Sequence, residues 1–215
     1  MRSHLDKNTV SVNTFNKLAQ KYQDKYMDLA LYSDTFTLFC ELVNQKINPE
    51  LFEIGCGPGN ISRLLLEACH DLKLHGIDLA PNMIQLAKGN NPTAQFEVMD
   101  CRDIGKITHQ YDGIMCGFCL PYISKEEAKE LIANTTKLLK KDGVIYLSTM
   151  EGEYSKSTLA TSSSGDQMYT YYHDAVHLSE QLEANGFTLL DINRKAIPGQ
   201  QDLSINDLFI IAIRK

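Results

Sequence analysis

Hydrophobic positions follow two alternating patterns from residue 51 onward. Short apolar runs of the kind found in buried parallel strands alternate with stretches of helical spacing. These runs lie at residues 51–54, 72–77, 95–99, 111–116 and 144–149. Two later runs, at 187–194 and 207–214, lie too close together for another helical crossover, which favours an antiparallel pair. The pattern predicts an α/β fold around a mostly parallel sheet.

The segment before residue 49 shows helical spacing alone. Apolar residues recur there at intervals of three and four, which predicts an amphipathic helix. They are Phe15, Leu18, Ala19, Tyr22, Tyr26 and Leu29. We expect a second helix, capped by Ser33 and ended by Asn48 and Pro49.

Residues that begin and end helices mark the later connections. Pro81 suits a first helical turn, and Gly89 suits the end of the same helix. Ser124 and Glu127 have the spacing of a capping box. We expect Gly143 to end the helix that they begin, and a last helix at about 174–185.

Residues 151–173 form a polar stretch rich in Ser and Thr. It is long for a simple connection, and such loops are usually lids or disordered segments. We expect a mobile lid that brings the aromatic residues at its end towards a substrate. No repeat or linker divides the 215 residues, so a single domain spanning 1–215 is predicted.

Composition and charge exclude several classes of protein. With 43% hydrophobic and 22% charged residues, the chain can bury a core. A net charge of −6 argues against nucleic acid or anionic lipid as the partner, because both require clustered positive charge. No apolar run approaches the length of a membrane span. The first ten residues lack a secretory core, and six scattered cysteines resemble reduced thiols, so we expect a cytoplasmic protein.

A glycine-rich turn offers the clearest candidate site. Gly55, Gly57 and Gly59 follow the first predicted strand and precede a helix, where glycines let a ligand approach the backbone. Their spacing differs from the G-x-G-x-x-G of dinucleotide sites. Asp78 ends the second strand, where a carboxylate can accept the hydroxyls of an adenosine ribose. Alternatives are a tight turn without a ligand and a helix cap formed by Asp78.

Four segments together resemble the class I S-adenosylmethionine-dependent methyltransferases, especially the small-molecule branch with an N-terminal helical cap. The segments are ELFEIGCGPGN, GIDLAPNMI, FEVMDCRDI and YDGIMCGFCLPYI. The resemblance implies a Rossmann-like sheet of seven strands in the order 3-2-1-4-5-7-6, with the last strand antiparallel and helices on both faces. It also implies a helical cap at 1–48, a cofactor-binding core at 49–150, the lid at 151–173, and a C-terminal helix and β-hairpin at 174–215.

The same resemblance assigns roles to single residues around S-adenosyl-L-methionine. It places the methionine part over the turn and the adenosine along the second and third strands, with Phe118, Tyr171 and Tyr172 beside the acceptor and His173 as a candidate catalytic base. The implied cofactor-binding residues are Tyr22, Tyr26, Glu53, Gly55, Cys56, Gly57, Gly59, Asp78, Leu79, Met83, Asp100, Cys101 and Cys116.

Several of these residues have plainer interpretations. Met83, Tyr22 and Tyr26 could be core residues of amphipathic helices, and Asp100 could be a solvated loop residue. Residues 171–173 could pack where the last helix begins. Cys116 and Cys119 have the C-x-x-C spacing of a redox pair or half a zinc site, but nothing in the sequence completes a metal site, so we expect none.

The sequence therefore predicts an enzyme that methylates a small molecule. Three alternatives stay open at this point. One is a protein or RNA methyltransferase with the same cofactor, the second is an NAD-dependent oxidoreductase, and the third is a cofactor-binding module without catalysis. The acceptor and the oligomeric state do not follow from the sequence.

Overall fold

A computed structural model describes residues 6–27, 32–197, 202 and 204–215. The helices are α1 (Lys7–Tyr26), α2 (Thr37–Val43), α3 (Asn60–Ala68), α4 (Pro81–Asn90), α5 (Lys125–Leu138) and α6 (Ala175–Ala184). The strands are β1 (Glu50–Ile54), β2 (Lys73–Asp78), β3 (Gln95–Val98), β4 (Tyr111–Cys116), β5 (Leu139–Glu151), β6 (Thr158–Thr161), β7 (Gln167–Thr170), β8 (Phe187–Ala196) and β9 (Asn206–Arg214).

Seven strands form one sheet in the order β3-β2-β1-β4-β5-β9-β8. The pairs from β3 to β5 are parallel, and β9 runs antiparallel to both β5 and β8. This order confirms the predicted fold, with β8 and β9 as the predicted sixth and seventh strands. Of the connection at 198–206, residues 198–201 and 203 lie outside the described part of the chain, as does Leu29.

The sheet buries an apolar layer on each face, because successive strand residues point to opposite sides. Phe52 and Ile114 pack with α5 and α6 on one face. Leu51 and Met115 pack with α2, α3 and α4 on the other. The central strands are therefore apolar almost throughout, which explains why their pattern is legible in the sequence.

The polar stretch at 151–173 is the main departure from the predicted elements. Instead of an irregular loop, β6 and β7 form an antiparallel hairpin. The hairpin lies on α1, where Ser11 Oγ receives the Tyr169 N–H at 2.9 Å and Lys17 pairs with Asp166 at 2.6 Å. Its strands carry Thr and Tyr residues, which favour extended structure. The mobility expected of a lid stays a prediction.

Pro81 begins α4 and the last helix lies at Ala175–Ala184, as expected, whereas other predicted helix boundaries were wrong. Gly89 lies inside α4, which continues to Asn90. Gly143 lies within β5, because α5 ends at Leu138 and the strand begins at once. A 3-10 turn at 33–36 precedes α2, which ends at Val43, before Asn48. The capping box of Ser124 and Glu127 is confirmed.

Among the described residues, no helix is both long and apolar enough to cross a bilayer. The helix α1 is the longest, at 20 residues, and carries a polar face.

Candidate functional site

The site lies where the carboxyl ends of β1, β2, β3 and β4 meet. The strand order reverses between β1 and β4, and ligands of α/β sheets bind in the crevice at such a reversal. The segments that leave these strand ends carry Gly55, Asp78, Asp100 and Phe118. The topology therefore brings residues from four distant segments to one cleft, which α1 covers.

The glycine turn after β1 is held in a left-handed conformation. Gly55, Gly57 and Gly59 have φ angles of 71°, 54° and 80°, which side chains other than glycine rarely adopt. A Cβ on Gly55 would meet the Cys119 side chain at 3.0 Å, and one on Gly59 would meet Asn91 Nδ2 at 2.3 Å. Gly59 thus serves the packing of α3 on α4, whereas Gly55 and Gly57 line the cleft.

The turn uses its own backbone donors internally. The N–H groups of Gly55 and Cys56 both donate to Ile77 O, at 2.8 and 2.9 Å. The N–H of Gly57 donates to Asp78 Oδ2 at 2.9 Å, and that of Gly59 donates to Cys56 O at 3.0 Å. These donors are therefore committed to the protein and do not form a cradle for phosphate.

Asp78 joins the turn to the start of α4. Its second oxygen, Oδ1, accepts the Ala80 N–H at 2.8 Å. The carboxylate thus accepts a backbone N–H at the start of α4, as expected of a helix cap, and it also lines the cleft. Burial raises the pKa of Asp78, although the two N–H groups oppose the shift. Each oxygen retains a lone pair that can accept a ligand hydroxyl.

Glu53 lies beneath the turn and does not line the cleft. Only 1% of the residue is exposed, and its Oε2 accepts a short hydrogen bond from the Ser62 hydroxyl. Burial raises the pKa of Glu53 to about 8, against the effect of Ser62 and assisted by the nearby Asp78. This carboxyl group therefore has a structural position under the loop.

Asp100 is committed to Arg102. Its oxygens accept from the Arg102 guanidinium at 2.7 and 3.0 Å and from the Arg102 backbone N–H at 2.9 Å. Burial raises the pKa of Asp100, but these hydrogen bonds outweigh burial and lower it. Arg102 also binds Asp6 and Glu127. The Asp100 side chain therefore anchors α1 and α5 at the edge of the cleft.

The cleft consists of three adjoining cavities of about 90, 190 and 70 Å³. Most of the predicted site residues line one or more of them. These are Tyr22, Tyr26, Gly55, Cys56, Gly57, Asp78, Leu79, Met83, Asp100, Cys101 and Phe118. The described lining residues include no Lys, Arg or His, so the cleft is aromatic and acidic.

The segment 171–173 lies against the residues that follow β4 and does not line the cleft. Tyr171 N–H donates to Pro121 O at 2.7 Å, and the Tyr171 ring stacks on Tyr154 at 5.9 Å. Tyr172 N–H donates to Ser157 Oγ at 3.1 Å. Neither Tyr171 nor Tyr172 lines the cleft in this arrangement, and their predicted contact with the acceptor stays a prediction.

His173 is buried at the same place. Its Nε2 lies 2.9 Å from Leu120 O, and because a carbonyl only accepts, Nε2 carries the proton. Its Nδ1 is buried without a partner, and burial lowers the His173 pKa. The neutral ring has no contact with the cleft, so its predicted role as a base has no structural support.

The thiols that follow β4 face inward. Cys116 is fully buried in the core, whereas Cys119 lines the cleft beside Cys101. The hydrogen bond to Cys119, together with burial, raises the pKa of the Cys101 thiol well above its usual range. Such a thiol is a poor nucleophile. The described side chains include no group of three or more His, Cys, Asp or Glu placed to hold a metal ion.

The sequence analysis missed several cleft residues. Tyr122 lines all three cavities, and Phe15 lines two of them. A signal for Phe15 was present, since it lies seven residues before Tyr22 on the same stripe of α1. Tyr122 is the last residue of a 3-10 turn, Leu120–Tyr122, whose position on the cleft wall depends on tertiary contacts, and one of these is the hydrogen bond from Asn8 Nδ2 to the Tyr122 carbonyl at 3.0 Å.

Phe118 occupies a strained position on the cleft wall. Its φ is 52°, which is uncommon for a residue other than glycine. Ser148 Oγ on β5 accepts the Phe118 N–H at 3.0 Å, which helps to fix the turn. The ring packs near Tyr32 and Phe209, with centroids 5.5 and 6.1 Å away. Strained backbone held by its surroundings is frequent at functional sites.

Comparisons with known proteins agree with this geometry. Residues 51–143 match the family model described as a methyltransferase domain. The chain is 32% identical over 96 residues to trans-aconitate 2-methyltransferase of Enterobacter sp., covering 45% of this chain and 37% of that protein. It is 22% identical over 151 residues to malonyl-[acyl-carrier protein] O-methyltransferase of Acetivibrio thermocellus, covering 69% and 48%. The chain thus spans less than half the length of either relative.

Solved structures share the whole fold. Magnesium protoporphyrin IX methyltransferase from Synechocystis PCC 6803 with bound SAM superposes with a TM-score of 0.71 at 17% identity, covering 100% of both chains. A S-adenosylmethionine-dependent methyltransferase from Clostridium acetobutylicum gives a TM-score of 0.72 at 14% identity, covering 93% of this chain and 98% of that one. Residues 51–143 thus match a methyltransferase domain, and the described chain shares the fold of solved S-adenosylmethionine-dependent methyltransferases, in keeping with the glycine turn, the acidic residue that ends β2 and the order of the sheet.

Proposed function

We propose that this chain transfers a methyl group from S-adenosylmethionine to a small-molecule acceptor. One observation carries the proposal. The cleft at the carboxyl ends of β1 and β4 combines left-handed glycines with two carboxylates, and no cation is present among its described lining residues. Such a cleft suits a ligand that offers hydroxyls, an amine and a positive charge, as S-adenosylmethionine does.

The lining residues fit this cofactor in three parts. Asp78 would accept the ribose hydroxyls through its remaining lone pairs. Leu79, Met83 and the backbone of Cys101 would pack around the adenine, with Asp100 at its edge. The turn at 55–57 would lie against the methionine part, and Tyr22 would cover it. Met83 is only 2% exposed and touches both the α1 cluster and the cleft, so its core and cofactor roles are compatible.

The same features argue against NAD. A pyrophosphate requires free backbone donors or cationic side chains. The N–H groups of the turn are donated to protein acceptors, and burial raises the pKa of Asp78 beside them. A negative group placed there would face carboxylates without compensation. We therefore disfavour the oxidoreductase alternative.

The size of the cleft supports a small acceptor. The cavity beside Phe118 measures about 190 Å³ and must also hold part of the cofactor. A net charge of −6 gives little attraction for RNA. The six cysteines are all free thiols, which supports a reducing compartment such as the cytoplasm. A protein acceptor would have to insert a single side chain.

The chemistry requires little of the protein beyond position. S-adenosylmethionine supplies an activated methyl group on a good sulfur leaving group. The chain aligns donor and acceptor and excludes water, which can lower the barrier by several kcal/mol. Tyr22 and Tyr122, whose pKa values are raised by desolvation, serve as neutral walls for this purpose.

Calorimetric titration tests the proposal. S-adenosylmethionine and S-adenosylhomocysteine should each bind once per chain, and NAD should give no heat of binding. A non-catalytic binding module would bind both sulfur ligands but would not consume S-adenosylmethionine in the presence of labelled metabolite extract. Binding of NAD alone would contradict the assignment.

A further inference from the structure

The cavity beside Phe118 carries information about the acceptor. It is walled by aromatic rings from α1, from the turn before α2 and from the segment after β4. These are Tyr22, Tyr26, Tyr32, Phe36, Phe118 and Tyr122. Tyr22 and Tyr26 lie 4.7 Å apart between ring centroids, and Tyr32 lies 5.5 Å from Phe118. The rings thus surround one space from several sides.

The described lining of this cavity carries no charged side chain, and the carboxylate of Asp207 lies behind Tyr32, one of its walls. Within the described chain, none of its walls carries a Lys, Arg or His side chain. A carboxylate acceptor buried there would lose hydration without gaining a cationic partner, which is costly. A cation, by contrast, is attracted to the faces of aromatic rings by about 0.5–2 kcal/mol for each good contact. The cavity therefore favours a cationic acceptor over an anionic one.

Tyr32 adds a directed polar contact. Its hydroxyl donates to Asp207 Oδ2 at 2.8 Å, and Asp207 lies on β9 with only 3% of its surface exposed. Because the single phenolic proton is committed to Asp207, the Tyr32 oxygen offers only lone pairs to a ligand. Lys195, which pairs with Asp207 across the strands, forms an ion pair with Asp34. The Asp207 carboxylate thus makes the Tyr32 oxygen a fixed acceptor at the aromatic wall.

We propose that the acceptor is a small organic amine, bound in its ammonium form among Tyr26, Tyr32 and Phe118 and oriented by the Tyr32 oxygen that Asp207 holds. The inference rests on the proposed methyl transfer and names its substrate class. It departs from the curated relatives above, one of which is named for a carboxylic acid, trans-aconitate.

The ammonium must lose a proton before its nitrogen can react. The N–H proton passes to the Tyr32 oxygen while the phenolic proton passes to Asp207, which leaves a neutral amine and a protonated carboxyl group. The nitrogen lone pair then forms the new N–C bond, the C–S bond breaks with its electron pair retained by sulfur, and the products are a methylated ammonium and S-adenosylhomocysteine. Burial raises the pKa of Asp207, against the hydrogen bond from Tyr32, which suits a group that receives a proton.

Three probes of similar simplicity test the charge preference. Benzylamine, benzoate and the tetramethylammonium ion are titrated by calorimetry into the protein saturated with S-adenosylhomocysteine. Benzylamine should bind at least tenfold more tightly than benzoate, and tetramethylammonium should bind measurably through the rings alone. Equal or tighter binding of benzoate, or no binding of either cation, would overturn the inference. Failure of S-adenosylhomocysteine itself to bind would instead refute the proposed function.

A pair of variants tests the role of Tyr32. Tyr32→Phe keeps the ring but removes the oxygen, so benzylamine binding should weaken about tenfold while tetramethylammonium binding stays unchanged. Tyr111→Phe is the matched control, since its hydroxyl is also hydrogen-bonded, to His75 at 2.9 Å, but lies at the opposite edge of the sheet. A purely structural Tyr32 would leave the ratio between the two cations unchanged, and that result would contradict the proposal.

Discussion

Two cavities lie at opposite edges of the same sheet. The larger, about 620 Å³, opens at the amino ends of β1 to β4. The cleft at the carboxyl ends is smaller, with its largest part at about 190 Å³. Volume alone would select the first, yet the second contains the glycine turn and Asp78.

The two edges differ in whether their carboxyl groups have basic partners. At the amino edge, His75 Nε2 pairs with Glu97 at 3.0 Å and His109 Nε2 with Glu50 at 3.2 Å. Each pair places a carboxylate beside an imidazole, with at least one member more than half exposed. At the carboxyl edge, Glu53 is buried and Asp78 is partly buried, and among the described residues neither forms an ion pair with a basic side chain. Buried groups kept at a cost to stability mark functional sites better than volume does.

Among these variants, Gly57→Val should have the largest effect on ligand binding. A branched side chain at a φ of 54° is strained and would extend towards Tyr22, whose Cε1 lies 4.0 Å from the added Cβ. We expect S-adenosylhomocysteine binding to fall at least 100-fold, or about 2.7 kcal/mol. Gly165→Val, at a φ of 83° in the β6–β7 turn with nothing nearby, imposes similar strain and should leave binding intact. Unchanged affinity in a folded Gly57 variant would refute the role of the turn.

Glu53→Gln should change how stability depends on pH. Because the folded pKa of Glu53 is raised from 4.5 to about 8, the folded protein holds this proton more tightly than the unfolded chain does. The contribution of Glu53 to the free energy of unfolding is therefore fully present below pH 4.5. It is lost as pH rises towards 8, by on the order of 1 kcal/mol per pH unit. Denaturant unfolding between pH 5 and 9 should show a shallower decline for the variant. Parallel pH profiles would contradict the burial argument.

Asp78→Asn, at the carboxyl edge, should weaken cofactor binding moderately. The amide retains an oxygen for one backbone N–H but loses the charge-assisted hydrogen bonds to ribose. Cofactor affinity should fall by about 1.5–3 kcal/mol. Calorimetry with S-adenosylhomocysteine measures this loss, and thermal melting measures the share that arises from the contacts with Gly57 and Ala80. A large fall in melting temperature with unchanged affinity would reduce Asp78 to a cap.

Glu97→Gln at the amino edge should have the smallest effect. It removes one carboxylate from an exposed pair with His75, and such pairs contribute about 0–1 kcal/mol. Unfolding free energy should change by less than that, and cofactor affinity should not change. A loss of cofactor binding in this variant would show that the two edges are coupled.

The sheet was predictable from the sequence because its signals are local. Each central strand is buried on both faces, so its apolar run stands out, and the glycine turn and Asp78 follow strands directly. The capping box of α5 is likewise set by two residues three positions apart. Order and direction of the strands then followed from the resemblance to a known family.

What escaped prediction depends on contacts between distant segments. The β6–β7 hairpin is stabilised by Ser11 and Thr14 of α1, more than 150 positions away in the chain. Gly89 does not end α4, which continues to Asn90. The Asn91 side chain, which follows this helix, donates a hydrogen bond to the carbonyl of Gly59 in the glycine turn. In the sequence, His173 follows a polar stretch and could be exposed. In the fold, its backbone N–H donates to Met150 O, and its ring is buried. Tertiary context decides such positions.

Amide NMR of the labelled chain during titration with S-adenosylhomocysteine observes both edges of the sheet in one experiment. We expect large chemical-shift changes at Gly55, Gly57, Cys101 and Phe118, and none at His75, Glu97 or Tyr111. Shifts confined to the amino edge, or no shifts at saturating ligand, would contradict this expectation.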